Sequence, residues 1–242
     1  MQTLESISQE LVDHLGLNYV PVGVTLFKKG MPLPEDIPLF NEELKSYCQA
    51  LVKAGQGNVL LLQREKMGCK LGTSVLGFEE DMETFLDDGV REKFGAGLFA
   101  TEEASAETIH KSSYLEKGKS EAALIAPLGT FGEVPQVVIF TANSEQIMWL
   151  LYAVNYKEGG RMDLPQSGGA LGGCSDITVW PLQTGRANIT FLGLGCRIKS
   201  ALDNCHLMMG IPGDMLESVY THVLDMAKPI GMLAKASAPG DG

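Results

Sequence analysis

Eight residues, Ser167-Gly168-Gly169-Ala170-Leu171-Gly172-Gly173-Cys174, hold four glycines and a cysteine. They limit what this chain can fold into more than any other stretch. Glycine accepts backbone conformations and close approaches that a Cβ forbids. The run therefore lets main chain press against a neighbour, and it ends on a soft ligand or nucleophile. A plainer version, Gly68-Cys69 with Gly72 after it, occurs in the first half of the chain, and Gly195-Cys196 occurs in the second. Three Gly-Cys pairs among five cysteines point to sulfur chemistry beside unhindered main chain.

The spacing of the cysteines excludes several familiar sites. Cys48 and Cys69 stand 21 positions apart, Cys174 and Cys196 stand 22 apart, and there is no Cys-x-x-Cys. A zinc knuckle, a thioredoxin-type pair and a ferredoxin cluster run are thereby excluded. Isolated loop cysteines can still converge on one centre. A thiolate-rich set without histidine or carboxylate partners favours an iron–sulfur cluster, or zinc, over magnesium or calcium.

The individual contexts differ. Cys48 lies on an apolar helix stripe and by itself reads as a small buried hydrophobe. Cys69 and Cys174 follow glycines in turns, where backbone N–H groups can stabilise a thiolate or donate to cluster sulfur. Cys196 is expected at a strand end beside Arg197, whose cation would depress its thiol. Cys205, without a glycine partner, reads as structural or incidental. His14, His110, His206 and His222 form no ligand motif, and the adjacent pairs Glu79-Glu80 and Asp87-Asp88 would point apart on a helix.

Chain length and charge set outer bounds. With 242 residues the chain can bury a sizeable core. A net charge of −11 argues against a nucleic-acid surface and against adhesion to anionic membranes. No signal peptide is read at the start, and no apolar run approaches a membrane span. A cytoplasmic location with reduced thiols is expected, since an odd cysteine count in a long chain does not suit a secreted disulfide framework.

Periodicity predicts an α+β fold with mixed or antiparallel sheets and flanking helices. Residues 3–15 read as a helix, with Leu4, Ile7, Leu11 and Leu15 inward. Val20, Val22, Val24 and Leu26 alternate as a half-buried strand. Asn41 is expected to cap a helix carrying Leu44, Tyr47, Cys48 and Leu51. Residues 58–63 and 73–78 read as strands, 80–93 as an acidic helix, and 104–110 as a short helix. Residues 122–128 and 135–141 are apolar strands, and Ser144 is expected to cap a helix through about Tyr156. Residues 176–182 and 187–194 read as a hairpin turning at Gln183–Arg186. Pro212 and Asp214 open the last helix.

One α+β domain over 1–234 is expected, followed by a disordered tail at 235–242. Each half shows a strand near a proline, a helix ending in glycines, a Gly-Cys and another strand. Two pseudo-symmetric halves, 18–120 and 121–228, would place Cys69 and Cys174 on either side of an axis.

As a set, Tyr47-Cys48-Gln49-Ala50-Leu51, Gly68-Cys69 with Leu76-Gly77, Gln146, Ser167 to Cys174, Leu194-Gly195-Cys196-Arg197 and Ile211-Pro212 resemble the ArCR family, the domain of unknown function 169. The resemblance runs from about residue 18 to 225. It implies an association with anaerobes, which suits an oxygen-sensitive metal site, and it transfers no activity and no catalytic residue.

The leading expectation is a cysteine-coordinated iron–sulfur protein with a redox or electron-transfer role. Cys48, Cys69, Cys174 and Cys196 are its ligands, with zinc as the alternative metal. Gly68, Gly168, Gly169, Gly172, Gly173, Gly195 and Arg197 would border the cofactor. A redox partner protein or small molecule follows from that role, and self-association stays open. Two other readings remain. In one, a metal-free pocket cradles a small ligand on 167–173, with Arg161, Arg186 or Arg197 as counter-charge. In the other, a thiol-dependent enzyme uses Cys174 as attacker and glycine N–H groups as an oxyanion hole.

Overall fold

The computed structural model describes residues 2–34, 44–78, 82, 98–167 and 171–236. Its framework is a six-stranded, fully antiparallel sheet in the order β2-β3-β1-β4-β6-β5, so the chain is an α+β protein. The strands are β1 (Val22–Phe27), β2 (Leu60–Gln63), β3 (Ala122–Pro127), β4 (Val137–Asn143), β5 (Asn188–Thr190) and β6 (His206–Pro212).

β1 and β4 pair at the centre, Val22 opposite Ile139 and Val24 opposite Val137. Successive side chains point to opposite faces of a strand. Val22, Val24, Leu26, Val137, Ile139 and Met208 therefore form one apolar cluster, while Val138, Phe140, Ala142, Met209 and Ile211 form another on the far face.

The far face is covered by three helices: α1 (Leu4–Leu15), α5 (Ser144–Val154) and α8 (Leu216–Asp225). α1 begins where the Thr3 hydroxyl accepts from Ser6 N (3.2 Å) and ends at Gly16, whose φ of +63° suits glycine. α5 starts one residue earlier than expected, because Asn143 and not Ser144 is the cap. Asn143 and Gln146 satisfy each other's backbone N–H groups in a capping box. Gln146 also donates to the carbonyls of Leu15 (3.2 Å) and Gly16 (2.6 Å), fastening α5 to the end of α1.

The opposite face carries the elements that hold the cysteines. These are α2 (Tyr47–Gly55), α3 (Lys70–Val75), a π-helical segment (Gly172–Val179) running into α6 (Trp180–Thr184), and α7 (Leu194–Ser200). α4 (Glu102–His110) stands at the expected short helix, with Ile109 in this cluster, and α9 (Ala227–Ala236) follows α8.

Several expectations are corrected here. Residues 176–182 are no strand, and there is no hairpin at 183–186. The segment is buried throughout and winds as a π-helix, with Leu171 at φ +60° before it and Asp176 N bonded to Leu171 O. Ile177, Thr178 and Val179 have strand preferences, but such preferences yield to packing. The Thr178 hydroxyl bonds Gly173 O (2.8 Å), and a Cβ on Gly210 of β6 would collide with the Ile177 carbonyl. The segment thus lies directly on the sheet.

Residues 73–78 are likewise helix and turn. The hydroxyls of Thr73 and Ser74 bond Lys70 O (2.6 and 3.0 Å), and Gly77 turns the chain at φ +71°. β5 stops at Thr190 because Leu192 takes φ +59°, with its N–H on Thr190 Oγ1. Cys196 therefore stands in the first turn of α7, not at a strand end. α2 is capped by Ser46, and Leu44 forms a bridge to Met67 outside that helix. A 3₁₀ turn over 213–215 precedes α8. The tail expected from 235 has its first two residues in α9, which runs to Ala236; the rest of it, the expected cap at Asn41 and, apart from Met82, the helix over 80–93 lie outside the described residues.

The strand order reads alike from both edges, second-third-first strand of each half meeting at the β1–β4 pair. The helices do not follow this symmetry: α2 lies on the cysteine face and α5 on the other. In sequence the change of half falls between Pro127 and Val137.

Candidate functional site

Four elements each deliver one cysteine to a single cavity of about 460 Å³. Cys48 is the second residue of α2, whose start is set by the Ser46 hydroxyl accepting from Gln49 N (3.1 Å). Cys69 is the residue before α3, placed by Gly68 N bonding Leu44 O (2.8 Å). Cys174 is in the π-helical segment and Cys196 is in α7. The hydroxyls of Tyr47 and Thr178 meet at 3.0 Å in the interior and tie α2 to the π-helical segment. Cys48 and Cys174 are buried at 2% and 5% exposure, while Cys69 and Cys196 are half-buried. Cys205 is exposed and borders a separate groove with Phe191 and Arg197. All five cysteines are free thiols.

The sulfurs act on one another. Cys48 donates its thiol hydrogen to Cys196, and this bond and burial push the Cys48 thiol well up. The same bond holds Cys196 below the usual thiol range, helped by the Gly193 N–H and Lys199 against the cost of burial. Burial, then the charges of Cys69 and Cys196, push Cys174 well up, and its thiol donates toward Leu171 O (3.6 Å). Burial also raises Cys69, opposed by the N–H groups of Gly72 and Leu71 and by Lys199. Backbone N–H groups of Ser175, Gly193, Gly72 and Leu71 are thus directed at three of the sulfurs. Four thiolates crowded together repel one another, and a cation among them reverses that penalty and drives off the thiol protons.

The expected neighbours divide into three groups. Gly68 and Gly195 line the cavity. Gly172 and Gly173 serve by close packing: a Cβ on Gly172 would collide with Thr190 Oγ1, and one on Gly173 would meet Cys48 Sγ at 2.6 Å. Gly168 and Gly169 lie outside the described residues.

Arg197 does not serve as expected. Its Nε, Nη1 and Nη2 donate to the carbonyls of Phe191, Asp203 and His206, each at 2.8 Å. Those bonds commit the guanidinium to clamping α7 onto the start of β6. The cation acting on Cys196 is Lys199, one helical turn further on. The sequence carried that signal only for a helix, since i and i+3 share a helix face. Arg161 and Arg186 are exposed and outside the cavity lining. None of the four histidines lines the cavity. Among the described residues, no three His, Cys, Asp or Glu side chains stand grouped to hold a single metal ion.

Asp176 was missed by sequence reading. Its Oδ2 accepts from Ser167 N (3.2 Å) and Ser167 Oγ (2.9 Å), and burial raises its carboxyl to about 6. It borders a second cavity of about 260 Å³ with Trp180, Gln166 and Asn188.

The pattern of the family described as uncharacterised ArCR, domain of unknown function 169, matches residues 10–222. The chain belongs to the ArCR family. Its similarity extends to the uncharacterized protein MJ0308 of Methanocaldococcus jannaschii, 24% identical over 214 residues, covering 88% of this chain and 90% of that one. No solved structure matches the chain. No helix among the described residues is long and apolar enough to cross a membrane.

Proposed function

We propose that this ArCR protein binds an iron–sulfur cluster through Cys48, Cys69, Cys174 and Cys196 and passes single electrons. The supporting observation is the arrival of four cysteines, from four separate elements, at one cavity. A lone tetrahedral zinc with bonds of about 2.3 Å draws its sulfurs to within about 3.8 Å of each other. A cavity of about 460 Å³ bordered by all four cysteines has room for a polynuclear cluster, more than one such ion fills.

Such a cluster supplies reversible one-electron chemistry. The chain's own residues hold and tune it. Backbone N–H groups donate to the sulfurs, and Lys199 adds positive charge, both favouring the reduced, more negative state. Tyr47, Leu71 and Leu171 wall the cavity with apolar surface, which limits water. Five free thiols suit a reducing compartment, in keeping with a cytoplasmic location and a redox partner in this reading.

Protein purified without oxygen is expected to be brown, with iron and acid-labile sulfide. Serine at any of positions 48, 69, 174 or 196 removes or alters the cluster spectrum, and Cys205→Ser leaves it unchanged. Colourless, iron-free wild type after anaerobic reconstitution overturns the proposal. A colourless protein with stoichiometric zinc would assign the site to the alternative metal.

A further inference from the structure

The mouth of the four-cysteine cavity has an unusual surface for this chain. Leu98, Leu194 and Ile198 line it and are 54%, 59% and 71% exposed. Leu194 and Ile198 are four residues apart on α7 and share a face. Lys70 and Lys199 line the same cavity and are exposed. Exposed Lys45 stands at its edge, its Cα 3.7 Å from where a Cβ on Gly68 would be. No Asp or Glu is among the described residues lining the cavity. Yet the whole chain has 30 acidic against 19 basic residues and a net charge of −11.

An apolar centre with a charged rim is the anatomy of a protein interface. Uncovered aliphatic side chains at the mouth of a site mark contact with another macromolecule. The local sign selects the partner. A second copy of this chain, docked by the same face, would bring like lysines together and adds another −11. A few lysines on so acidic a chain do not make a nucleic-acid surface. An acidic protein is attracted to this rim while the rest of the surface repels it, which orients the encounter.

We propose that the rim formed by Leu98, Leu194, Ile198, Lys45, Lys70 and Lys199 is the docking face for a small acidic electron-carrier protein. This rests on the cluster reading. The carrier's reduced centre loses one electron and the cluster gains it, with no bond made or broken. Cys69 and Cys196, the half-buried pair, are the ligands on the more accessible side of that transfer.

The test uses full-length, cluster-loaded protein and stopped-flow reduction by two probes. One is a reduced acidic [2Fe–2S] carrier protein, and the other is reduced methyl viologen, a small cation. The readout is the ratio of the two rate constants, which cancels differences in cluster content between variants. At about 10 mM ionic strength, where the Debye length is about 30 Å, Lys45→Glu with Lys70→Glu lowers the ratio about tenfold or more. The gap closes near 0.5 M salt. Ile198→Gln, which leaves all three lysines, lowers the carrier rate at every salt concentration.

A ratio unchanged by both variants at low salt overturns the docking face and leaves the cluster reading standing. A wild type without a cluster overturns both. A salt-independent loss in the charge-reversal variant alone also overturns the proposal, because the lysines would then act through structure and not through attraction.

Discussion

The backbone of Gly173 lies against the sulfur of Cys48, so close that a Cβ there would stand 2.6 Å from Sγ. The glycine is therefore needed by a cysteine 125 positions away, and not by any turn of its own. Gly173→Ala must displace the Cys48 side chain from a packed interior, at a cost of about 1–3 kcal/mol. Iron bound per chain is expected to fall below half of wild type. Gly132→Ala is the control: it is outside the cavity lining, and nothing lies within 4 Å of its added methyl. Its iron content and melting temperature should match or exceed wild type. Elemental analysis and thermal unfolding of both variants decide the matter.

The thiols should react in an order set by exposure and charge. In the metal-free chain at neutral pH, Cys205 is exposed and should be alkylated first. Cys196 follows, being half-buried and held low by Cys48, Gly193 N–H and Lys199. Cys48 and Cys174, buried and pushed up, are last. After cluster loading only Cys205 should react quickly. Mass mapping of a timed iodoacetamide reaction tests this, and rapid labelling of Cys174 would contradict the burial on which it rests.

Asp176 gives the metal-free chain a signature in pH. Burial raises its carboxyl from 3.8 to about 6 in the folded state, so the folded chain holds this proton more tightly than the unfolded chain does. Below about pH 4 both states are protonated, and the contribution is fully present. It is lost as pH rises through 6, because the buried group must then ionise. At about 1.4 kcal/mol per pH unit the loss has an upper bound of about 3 kcal/mol. Asp176→Asn should be more stable than wild type at pH 7.5 and no more stable at pH 4. Urea unfolding across that range measures it, and parallel curves for the two proteins would remove Asp176 as the cause.

Arg197 predicts a loss of stability and not of charge steering. Its guanidinium serves the carbonyls of Phe191, Asp203 and His206. Arg197→Ala should cost about 1–3 kcal/mol, the usual penalty for orphaned polar groups. Arg197→Lys should recover only part, because an ammonium cannot reproduce the planar fork. Denaturant midpoints for the three proteins are the measurement, and full recovery by lysine would show that charge alone matters.

The elements legible in the sequence are those whose pattern is local and one-sided. The inward stripe of α1, the alternation of Val22, Val24 and Leu26, and the apolar runs of β3 and β4 stand close to where periodicity places them. Their faces are sorted by water, and water leaves a period in the sequence. The π-helical segment escaped because all eight of its residues are buried. Without a wet side it has no period, and its β-branched residues then suggest a strand. α3 escaped because a short stretch buried throughout, as residues 73–78 are, reads alike as helix or strand. There the helix and its turn at Gly77 are set by the Thr73 and Ser74 hydroxyls on Lys70 O, and not by hydropathy.

By itself the sequence determined the inventory: four cysteines beside glycines or on an apolar stripe, a chain able to bury a core, and the strands at its centre. Tertiary structure alone decided that Cys48 shares a cavity with Cys174, that Lys199 and not Arg197 faces Cys196, and that Gly173 yields its side chain to a distant sulfur. The reason is that burial leaves its mark residue by residue along the chain. Convergence depends instead on the order in which strands pair and on which face of the sheet each connection crosses, and separations of 21 and 22 residues carry no trace of either.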